Sequence, residues 1–321
     1  MLDDVNVLYK IASLYYESGN TQDEIARKVD MSRPMVSRAL EKARNIGLVR
    51  ISVHPPKQFT DLAQTISKAL DLTEVVIAPS SNSTGNERLD RISDITDSAA
   101  GYLERTITGG MNVGFGFGAT VYATVKKLRN LKPVDQEAPV FVPLMGSIGS
   151  KQAEYQESVI VNHAASMLNA KAYYYNVPVV RLDDHEAITL INNTHHDIHE
   201  IWRRLDMAVI GLGSFANIKN YPMNSFSDDD YNYLISNGVK GDILGRFFND
   251  HGYLAPVNIS SYYSGIRRED LNNVRNIVCI CGGSEKVLPI IAAARNKFFD
   301  TLITDYRTIN EINEILQEEK Q

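Results

Sequence analysis

Short glycine-rich turns recur at four points of the chain, each directly after an apolar segment that predicts a β-strand. They span residues 114–120, 145–150, 211–214 and 281–286. Glycine lets an anion approach backbone N–H groups, the N-terminus of a following helix attracts it, and a nearby hydroxyl or ammonium group can donate to it. Thr120 and Lys286 could supply those donors. The chemistry indicated is the binding of a phosphate or a similar anion.

Steric reasons alone can also place glycine in a tight strand-to-helix turn, so one such turn says little. Four turns together with Thr120 and Lys286 favour an anion pocket. Its glycines in the first and last turns are Gly116, Gly118, Gly282 and Gly283. The first turn has the spacing G-x-G-x-G, and no acidic residue follows at a strand end about 20 residues later, so it does not predict a dinucleotide site.

The segment 239–252 adds a carboxylate and a guanidinium, Asp242 and Arg246, four residues apart on a possible helical turn. One interpretation is an ordinary i,i+4 pair at the surface. The functional interpretation is an acceptor for hydroxyl groups and a donor to an anion at the rim of the pocket.

Basic residues cluster near the N-terminus. Residues 27–50 hold seven Lys or Arg against two acids, and this local charge of +5 suits a phosphate backbone. The spacing of Thr21 and Glu24 predicts a capping box at the start of one helix, and Ser32 with Pro34 predicts the start of a second.

A short helix, a tight turn and a second, basic helix form the helix-turn-helix pattern, whose second helix enters the DNA major groove. Gly47 followed by alternating Val49, Ile51 and Val53 predicts a winged extension with a strand opening at Val49. The alternative is an ordinary helical hairpin with a solvated basic face. The residues predicted to bind DNA are Thr21, Gln22, Ser32, Arg33, Pro34, Ser37, Arg38 and Lys42.

Composition limits the class of protein. The 321 residues carry a net charge of −6, but residues 1–56 hold 8 basic and 7 acidic groups, so the acidic excess lies in the remainder. The only cysteines, Cys279 and Cys281, are too few for a zinc site and are predicted to be buried thiols. No run of about 18 apolar residues and no signal peptide is found, which predicts a soluble cytoplasmic protein.

The apolar and amphipathic segments predict two domains. Residues 1–54 form a helix-turn-helix domain, 55–59 a Pro-Pro linker, and 60–321 a doubly wound α/β domain whose parallel sheet is covered on both faces. A metal is not predicted, because His195, His196, Asp197 and His199 lack a further ligand and a solvated helix explains them.

The assembled motifs resemble the SorC family of sugar-responsive bacterial transcriptional regulators over nearly the whole chain. The residues that carry the resemblance are YYESGNTQDEIARKVDMSRPMVSRALEKARNIGLVRI, GDILGRFFNDHG at 241–252, CGGSEK at 281–286 and LITD at 302–305. The resemblance implies an effector domain related in fold to ribose-5-phosphate isomerase and glucosamine-6-phosphate deaminase without their catalysis. It also implies a homodimer or homotetramer and a phosphorylated sugar as effector. The pocket positions that the resemblance carries over are Gly118, Ala119, Thr120, Gly146, Ser147, Gly211, Gly213, Asp242, Arg246 and Lys286.

Within that family the segments SRPMVSR and NVPVV look closer to the deoxyribonucleoside regulators. Such a regulator uses a lysine just before the second glycine turn to bond its aldehyde effector, and here Met145 stands at that place. The resemblance therefore implies no covalent bond to deoxyribose 5-phosphate.

The leading hypothesis is a regulator of carbohydrate or nucleoside catabolism genes that senses a sugar phosphate, with no cofactor and no catalysis. The alternative is a sugar-phosphate isomerase or deaminase fused to a DNA-binding domain. Turnover would need an acid/base pair in the pocket. Asp242 and Glu285 are available, but nothing in the sequence brings them together.

Overall fold

A computed structural model describes residues 4–49, 56–80, 84–129, 137–147, 155–178, 194–215, 228–254 and 264–320. Three helices begin the chain: α1 (Val5–Tyr16), α2 (Gln22–Lys28) and α3 (Arg33–Asn45). They pack around one apolar cluster, whose members among the described residues all come from residues 7–49. Its buried members are Leu8, Ile11, Ala12, Ile25, Val36, Ala39, Leu40 and Ala43. The predicted helices of the N-terminal module are confirmed.

The predicted start of the wing and the predicted end of the linker differ from the structure. Val49 is not part of a strand, and Ile51 and Val53 lie outside the described residues. Helix α4 (Lys57–Leu70) begins directly after Pro56, so the last three residues of the predicted linker at 55–59 are helical. Proline is tolerated at the start of a helix, where its missing N–H has no intrahelical acceptor.

The remaining chain alternates strands and helices around a seven-stranded parallel sheet. Its strands are β1 (Glu74–Ala78), β2 (Asn112–Phe115), β3 (Val140–Pro143), β4 (Lys171–Ala172) and β5 (Met207–Ile210). A second sheet of four antiparallel strands follows: β6 (Gly213–Ser214), β7 (Gly241–Ile243), β8 (Arg246–Asn249) and β9 (Gly252–Tyr253). The last two parallel strands are β10 (Asn276–Ile280) and β11 (Thr301–Asp305).

Helices cover both faces of the parallel sheet. The helices that follow α4 are α5 (Glu87–Thr106), α6 (Ala119–Lys126), α7 (Glu157–Leu168), α8 (His196–Trp202), α9 (Asp228–Ser236), α10 (Arg268–Leu271), α11 (Val287–Arg295) and α12 (Tyr306–Glu318). Of these, α9 packs against the second sheet, where Leu234 clusters with Phe247 of β8. One apolar layer joins the sheet to α5, α6 and α7, and the other joins it to α4, α8, α11 and α12. The doubly wound α/β fold is therefore confirmed. It follows from strands such as β5, whose residues are all buried.

The strand order is β1-β11-β10-β5-β2-β3-β4, and every pairing is parallel. From β2 the chain proceeds outward through β3 to β4, and from β5 it proceeds the other way through β10 to β11. The two directions separate between the neighbours β2 and β5. This reversal point is where open α/β sheets bind ligands, beyond the carboxyl ends of the strands.

Two local predictions are wrong. The strand predicted over residues 172–180 ends at Ala172, and of the three tyrosines that follow it Tyr175 is buried while Tyr173 and Tyr174 are exposed. The helix predicted to start at Glu285 begins as a 3-10 turn over Ser284–Lys286, and α-helical bonding starts at Val287. No helix among the described residues is long and apolar enough to cross a membrane.

Candidate functional site

The strand order brings the four glycine-rich turns to one edge of the parallel sheet. The turns follow β10, β5, β2 and β3, which are consecutive neighbours in that order. The backbone N–H of Gly116 donates to the Val209 carbonyl at 2.8 Å, which joins the turn after β2 to β5 across the reversal point. Neighbouring strands lie about 4.8 Å apart, so roughly 15 Å separate the first and last turns.

The turn after β2 leaves its donors open. Gly118 has φ +122°, which favours glycine, and a Cβ there would meet nothing within 4 Å. It precedes α6, whose amide at Tyr122 bonds to the Gly118 carbonyl. Among the described residues no acceptor meets the N–H of Ala119 or Thr120, nor the Thr120 hydroxyl. These donors at a helix N-terminus can receive an anion.

The turn after β3 is closed by its own contacts. A Cβ at Gly146 would lie 2.4 Å from the Val177 carbonyl oxygen, so glycine is required here by close packing. The Gly146 N–H donates to the Ser264 carbonyl, and the Ser147 N–H donates to that of Val177. The Ser147 hydroxyl donates to Gln156 Oε1 at 2.8 Å. Both amides are therefore bonded within the protein, and the assignment of Gly146 and Ser147 to the pocket stays a prediction.

The turn after β5 leads into the second sheet. Gly211 has no neighbour closer than 3.7 Å to a Cβ placed there. Gly213 differs, because it pairs with Asp242 across β6 and β7, and its Cβ would lie 1.8 Å from Asp242 Oδ1. The glycine at 213 therefore makes room for the carboxylate.

Asp242 and Arg246 do not lie on a helical turn, and that prediction is wrong. They belong to the hairpin of β7 and β8, closed by Leu244 and Gly245 with φ of +52° and +75°. Positive φ at both central residues is the type I′ turn that suits the twist of a hairpin. The Gly245 N–H donates to Asp242 Oδ2 at 3.3 Å.

The hairpin register separates the two charged side chains. Asp242 is opposite Phe247, and Arg246 is opposite Ile243, so Asp242 and Arg246 lie on opposite faces of the hairpin. No ion pair joins these two described residues, and Arg246 donates to the Ile266 carbonyl. Asp242 is 6% exposed. The interpretation as a surface i,i+4 pair is therefore also wrong.

The turn after β10 uses its glycines for packing. A Cβ at Gly282 would lie 2.4 Å from Asp305 Oδ2. The Gly283 N–H donates to Thr308 Oγ1 at 2.7 Å, so this buried amide is not available to an anion. The bond to Thr308 corrects the prediction that Gly283 presents a free N–H group to a ligand, whereas Gly282 stays a predicted pocket residue.

Lys286 is half-buried at the end of the same turn. Among the described residues no carboxylate lies within ion-pair distance of its ammonium group. The Ser214 hydroxyl donates to the Glu285 carbonyl at 2.7 Å, which links this turn to β6 beside Gly213. Lys286 therefore supplies a cation on the β10 side of the reversal point.

Cys281 is the first residue of that turn, and Cys279 precedes it in β10. Their Sγ atoms are 3.6 Å apart, and both thiols are free and buried, as the sequence predicted. Burial and the hydrogen bond to Cys281 raise the pKa of Cys279, while the charge of Lys286 opposes the rise.

The histidines of α8 pack with aromatic rings. The ring centroid of His195 is 5.0 Å from that of Tyr175, and that of His199 is 4.9 Å from that of Trp202. Burial lowers the pKa of His199. Within the described ranges no group of three or more metal-ligating side chains occurs.

Sequence reasoning missed two features of this edge. Glu157, at the start of α7, carries a buried carboxyl group, and burial raises its pKa to about 8. Its only sequence signal was a charge at helical spacing from Ile160 and Val161. The second is an open cleft of about 450 Å³ beside the ends of β1, β10 and β11. Its lining residues are Gly85, Asn86, Glu87, Arg88, Arg91, Ser284, Glu285 and Arg307.

In the N-terminal module the predicted capping box is present. The Thr21 hydroxyl accepts from the Glu24 N–H, and the Glu24 carboxylate accepts from the Thr21 N–H at 2.8 Å. The hydrogen bonds that the Glu24 carboxylate accepts from the Thr21 N–H and from the Thr21 hydroxyl lower the pKa of Glu24. Ser32 takes the N-cap position of α3, but its side chain makes no capping hydrogen bond.

Helix α3 presents the predicted polar face. Arg33, Ser37 and Arg38 are exposed, whereas Val36, Ala39 and Leu40 are buried. Arg33 Nε lies 3.8 Å from Asp23 Oδ1, which links the first turns of α2 and α3. Thr21, Gln22 and Arg33 also border one shallow cleft. Pro34 is exposed and Lys42 half-buried on the same helix.

The fold and site define a class: a helical module with a basic recognition face, joined in one chain to a doubly wound ligand-binding domain. A family of sequences described as "Putative sugar-binding domain" matches residues 54–314. The chain belongs to this family, and within it to the SorC group of transcriptional regulators.

The sequence is similar to known regulators over nearly its whole length. The sorbitol operon regulator of Klebsiella pneumoniae is 29% identical over 95% of this chain and 97% of its own. The deoxyribonucleoside regulator of Bacillus subtilis (strain 168) is 26% identical over 92% of this chain and 94% of its own. The sequence identity over the whole chain therefore does not favour the predicted closer similarity to deoxyribonucleoside regulators.

The crystal structure of the full-length sorbitol operon regulator SorC from Klebsiella pneumoniae superposes with a TM-score of 0.72 at 28% identity, covering 98% of both chains. That of a probable sor operon regulator from Shigella flexneri gives 0.69 at 25% identity, covering 80% of this chain and 99% of that one. The protein is a transcriptional regulator with a sugar-binding domain, and its partners are DNA and a sugar effector.

Proposed function

We propose that this protein controls carbohydrate or nucleoside catabolism genes, and that a phosphorylated sugar bound at the reversal point between β2 and β5 sets its activity. The observation that carries the proposal is the open N-terminus of α6 beside the turn that leads to Asp242. One end of this edge offers donors to an anion, and the other offers an acceptor to hydroxyl groups.

The phosphate end is assigned to the turn after β2. The N–H groups of Ala119 and Thr120 and the Thr120 hydroxyl have no acceptor among the described residues, and Gly118 lets a bulky group approach them. Lys286 adds a full charge from the β10 side, and a hydrogen bond between an ammonium and a phosphate is charge-assisted.

The sugar end is assigned to Asp242. An ionised carboxylate only accepts hydrogen bonds, so it suits hydroxyl groups and repels a phosphate. Gly213 leaves room for this carboxylate, and the space at Gly211 admits a ligand next to it. Arg246 faces the other side of the hairpin and is assigned to the pocket wall near Ile266.

The names of the relatives support the ligand class. One is named for a sorbitol operon and another for deoxyribonucleosides, so a carbohydrate or nucleoside product is the expected signal here. Met145 is fully buried and carries no amine, so the effector is held without a Schiff base.

Binding without turnover is the proposed role of the pocket. Asp242 is held by the Gly245 N–H, while Glu285 is exposed in the 3-10 turn, and such a pair is a poor acid/base couple. An isomerase or deaminase is the competing function. Turnover of pentose or hexose phosphates above background would favour the enzyme.

The α3 face with Arg33, Ser37 and Arg38 is proposed to contact the operator. One helix-turn-helix makes few contacts, and such modules work as symmetric pairs on half-sites one helical turn or multiples apart. We therefore propose a homodimer or homotetramer, acting in the cytoplasm where the operator DNA lies. A monomer in light scattering at micromolar concentration, with and without operator, would contradict this assembly.

A thermal-shift screen against sugars and their phosphates tests the effector class. A ligand present at 100 times its Kd should stabilise the protein by about 2.7 kcal/mol. We expect stabilisation by a phosphorylated sugar and not by its unphosphorylated form at the same concentration. Equal stabilisation by both forms would refute the phosphate assignment.

A further inference from the structure

Glu157 buries a carboxyl group in the interior of the α/β domain, where its own backbone N–H is a partner and one oxygen is left without any. The residue is 3% exposed, and its Oε1 atom has no hydrogen-bond partner. Burying a carboxyl without a partner is costly, because the group loses its bonds to water. An apolar side chain such as leucine would avoid this cost.

The side chain belongs to the face of α7 that packs on the sheet. Ile160, Val161 and Ala164 lie three, four and seven residues after Glu157, so all four share one side of the helix. Those three are fully buried in the same apolar layer as Phe115 of β2. Glu157 is one turn nearer the N-terminus of α7, at the level where β2 and β3 end.

Two contacts fix the start of α7 against the edge of the sheet that carries the proposed effector site. The Ser147 hydroxyl donates to Gln156 Oε1 at 2.8 Å, which joins α7 to the turn after β3. The ring of Tyr155 lies 5.6 Å from that of Tyr122 in the first turn of α6. Residues 155–157 therefore lie between the turn after β3 and the open N-terminus of α6.

The protonation of Glu157 suits a place beside an anion. Burial raises its pKa to about 8, so the group is mostly neutral at pH 7. A carboxylate there would repel a phosphate at the N-terminus of α6, whereas a neutral carboxyl both donates and accepts. A sugar hydroxyl also donates and accepts, so the two groups are complementary.

We propose that Glu157 is a recognition residue of the effector site, where its buried carboxyl hydrogen-bonds a sugar hydroxyl close to the phosphate. This assignment rests on the proposed binding of a phosphorylated sugar at the same edge. It adds a specificity contact from α7 to the contacts from α6, β7 and the turn after β10.

Calorimetry on the full-length protein tests this assignment. Four proteins are compared: wild type, Glu157→Leu, Glu157→Gln and Glu318→Gln. The last is the control, because it alters an exposed carboxylate at the end of α12. The probes are two matched pairs, ribose 5-phosphate with 2-deoxyribose 5-phosphate and glucose 6-phosphate with 2-deoxyglucose 6-phosphate, together with inorganic phosphate. Circular dichroism and thermal unfolding confirm that each variant is folded.

For the tightest sugar phosphate we expect Glu157→Leu to weaken binding about 10- to 100-fold, as for a lost hydrogen bond in a buried site. Glu157→Gln should lose less than about 5-fold, because an amide also donates and accepts. Inorganic phosphate should bind all four proteins equally.

The outcomes distinguish a failure of the role proposed for Glu157 from a failure of the proposed binding of a phosphorylated sugar. Unchanged sugar-phosphate affinity in folded Glu157→Leu overturns the role of Glu157 and leaves the effector assignment intact. If Glu157→Leu does not fold, Glu157→Ala replaces it with the same expected loss. Binding of none of the sugar phosphates to the wild-type protein overturns both the assignment and the effector class represented by these probes.

Discussion

Asp242 Oδ1 occupies the space where a side chain at Gly213 would begin, because a Cβ built on Gly213 lies 1.8 Å from that oxygen. The two residues face each other across β6 and β7. The position of the carboxylate proposed to bind the sugar thus depends on a glycine 29 residues earlier.

Gly213→Ala should therefore displace Asp242 and strain the β6–β7 pairing. Overpacking of this kind costs roughly 1–3 kcal/mol. Urea unfolding measures the loss, and Gly211→Ala is the matched control, because its Cβ would have no neighbour closer than 3.7 Å. Equal stability of the two variants would show that Asp242 can move aside freely.

Lys286→Ala should weaken a phosphorylated effector by roughly 1.5–3 kcal/mol, the value for a hydrogen bond to a charged group. Affinity for DNA without ligand should stay the same. Arg91→Ala is the control, since Arg91 borders the neighbouring cleft beside β1. Calorimetry measures the affinity for the effector. If Arg91→Ala lowers this affinity and Lys286→Ala does not, the phosphate must be assigned to that cleft instead.

Arg38→Ala should reduce operator affinity by about 1–3 kcal/mol if the guanidinium reads a base. The side chain is exposed on α3, so the fold should be retained. Lys10→Ala, an exposed cation on α1, controls for the general loss of charge. Fluorescence anisotropy with operator and scrambled duplexes at one fixed salt concentration gives the measurement. If folded Arg38→Ala binds the operator with unchanged affinity, this face of α3 does not recognise the operator bases.

Glu157 should make stability depend on pH. Its pKa in the folded protein, about 8, exceeds the ordinary value of 4.5, so the folded state holds a proton that the unfolded state releases. The associated stability is fully present below pH 4.5 and is lost as the pH rises towards 8, with a slope of up to about 1.4 kcal/mol per pH unit.

Glu157→Gln cannot titrate, so its stability relative to wild type should rise between pH 5 and pH 8 by an amount on the order of a few kcal/mol. Urea unfolding at pH 5 and pH 8 gives the difference in unfolding free energy between the variant and wild type at each pH, and the change in that difference is the quantity tested. Glu318→Gln should leave the pH dependence unchanged. A constant difference between wild type and Glu157→Gln would show that the carboxyl is solvated in the folded state.

Local sequence signals determined most of the elements. The capping box of Thr21 and Glu24 and the apolar spacing of Val36, Ala39 and Leu40 depend on neighbours within a turn or two, and all were predicted correctly. Strand β5 was predicted with its observed bounds, because an unbroken apolar run between polar segments suits a buried parallel strand. The four glycine-rich turns were likewise found at strand ends.

Tertiary structure decided which turns stay open to a ligand. Gly283 matches a phosphate-binding turn in sequence, yet its N–H is taken by Thr308, 25 residues later. The turn at Leu244 and Gly245 was read as helical, because leucine rarely adopts positive φ and only pairing between β7 and β8 stabilises it there. Glu157 became notable only when its environment proved to be apolar. Capping and helical periodicity arise from interactions a few residues apart, whereas hydrogen-bond acceptors, strand order and burial arise from groups that folding brings together from distant parts of the chain.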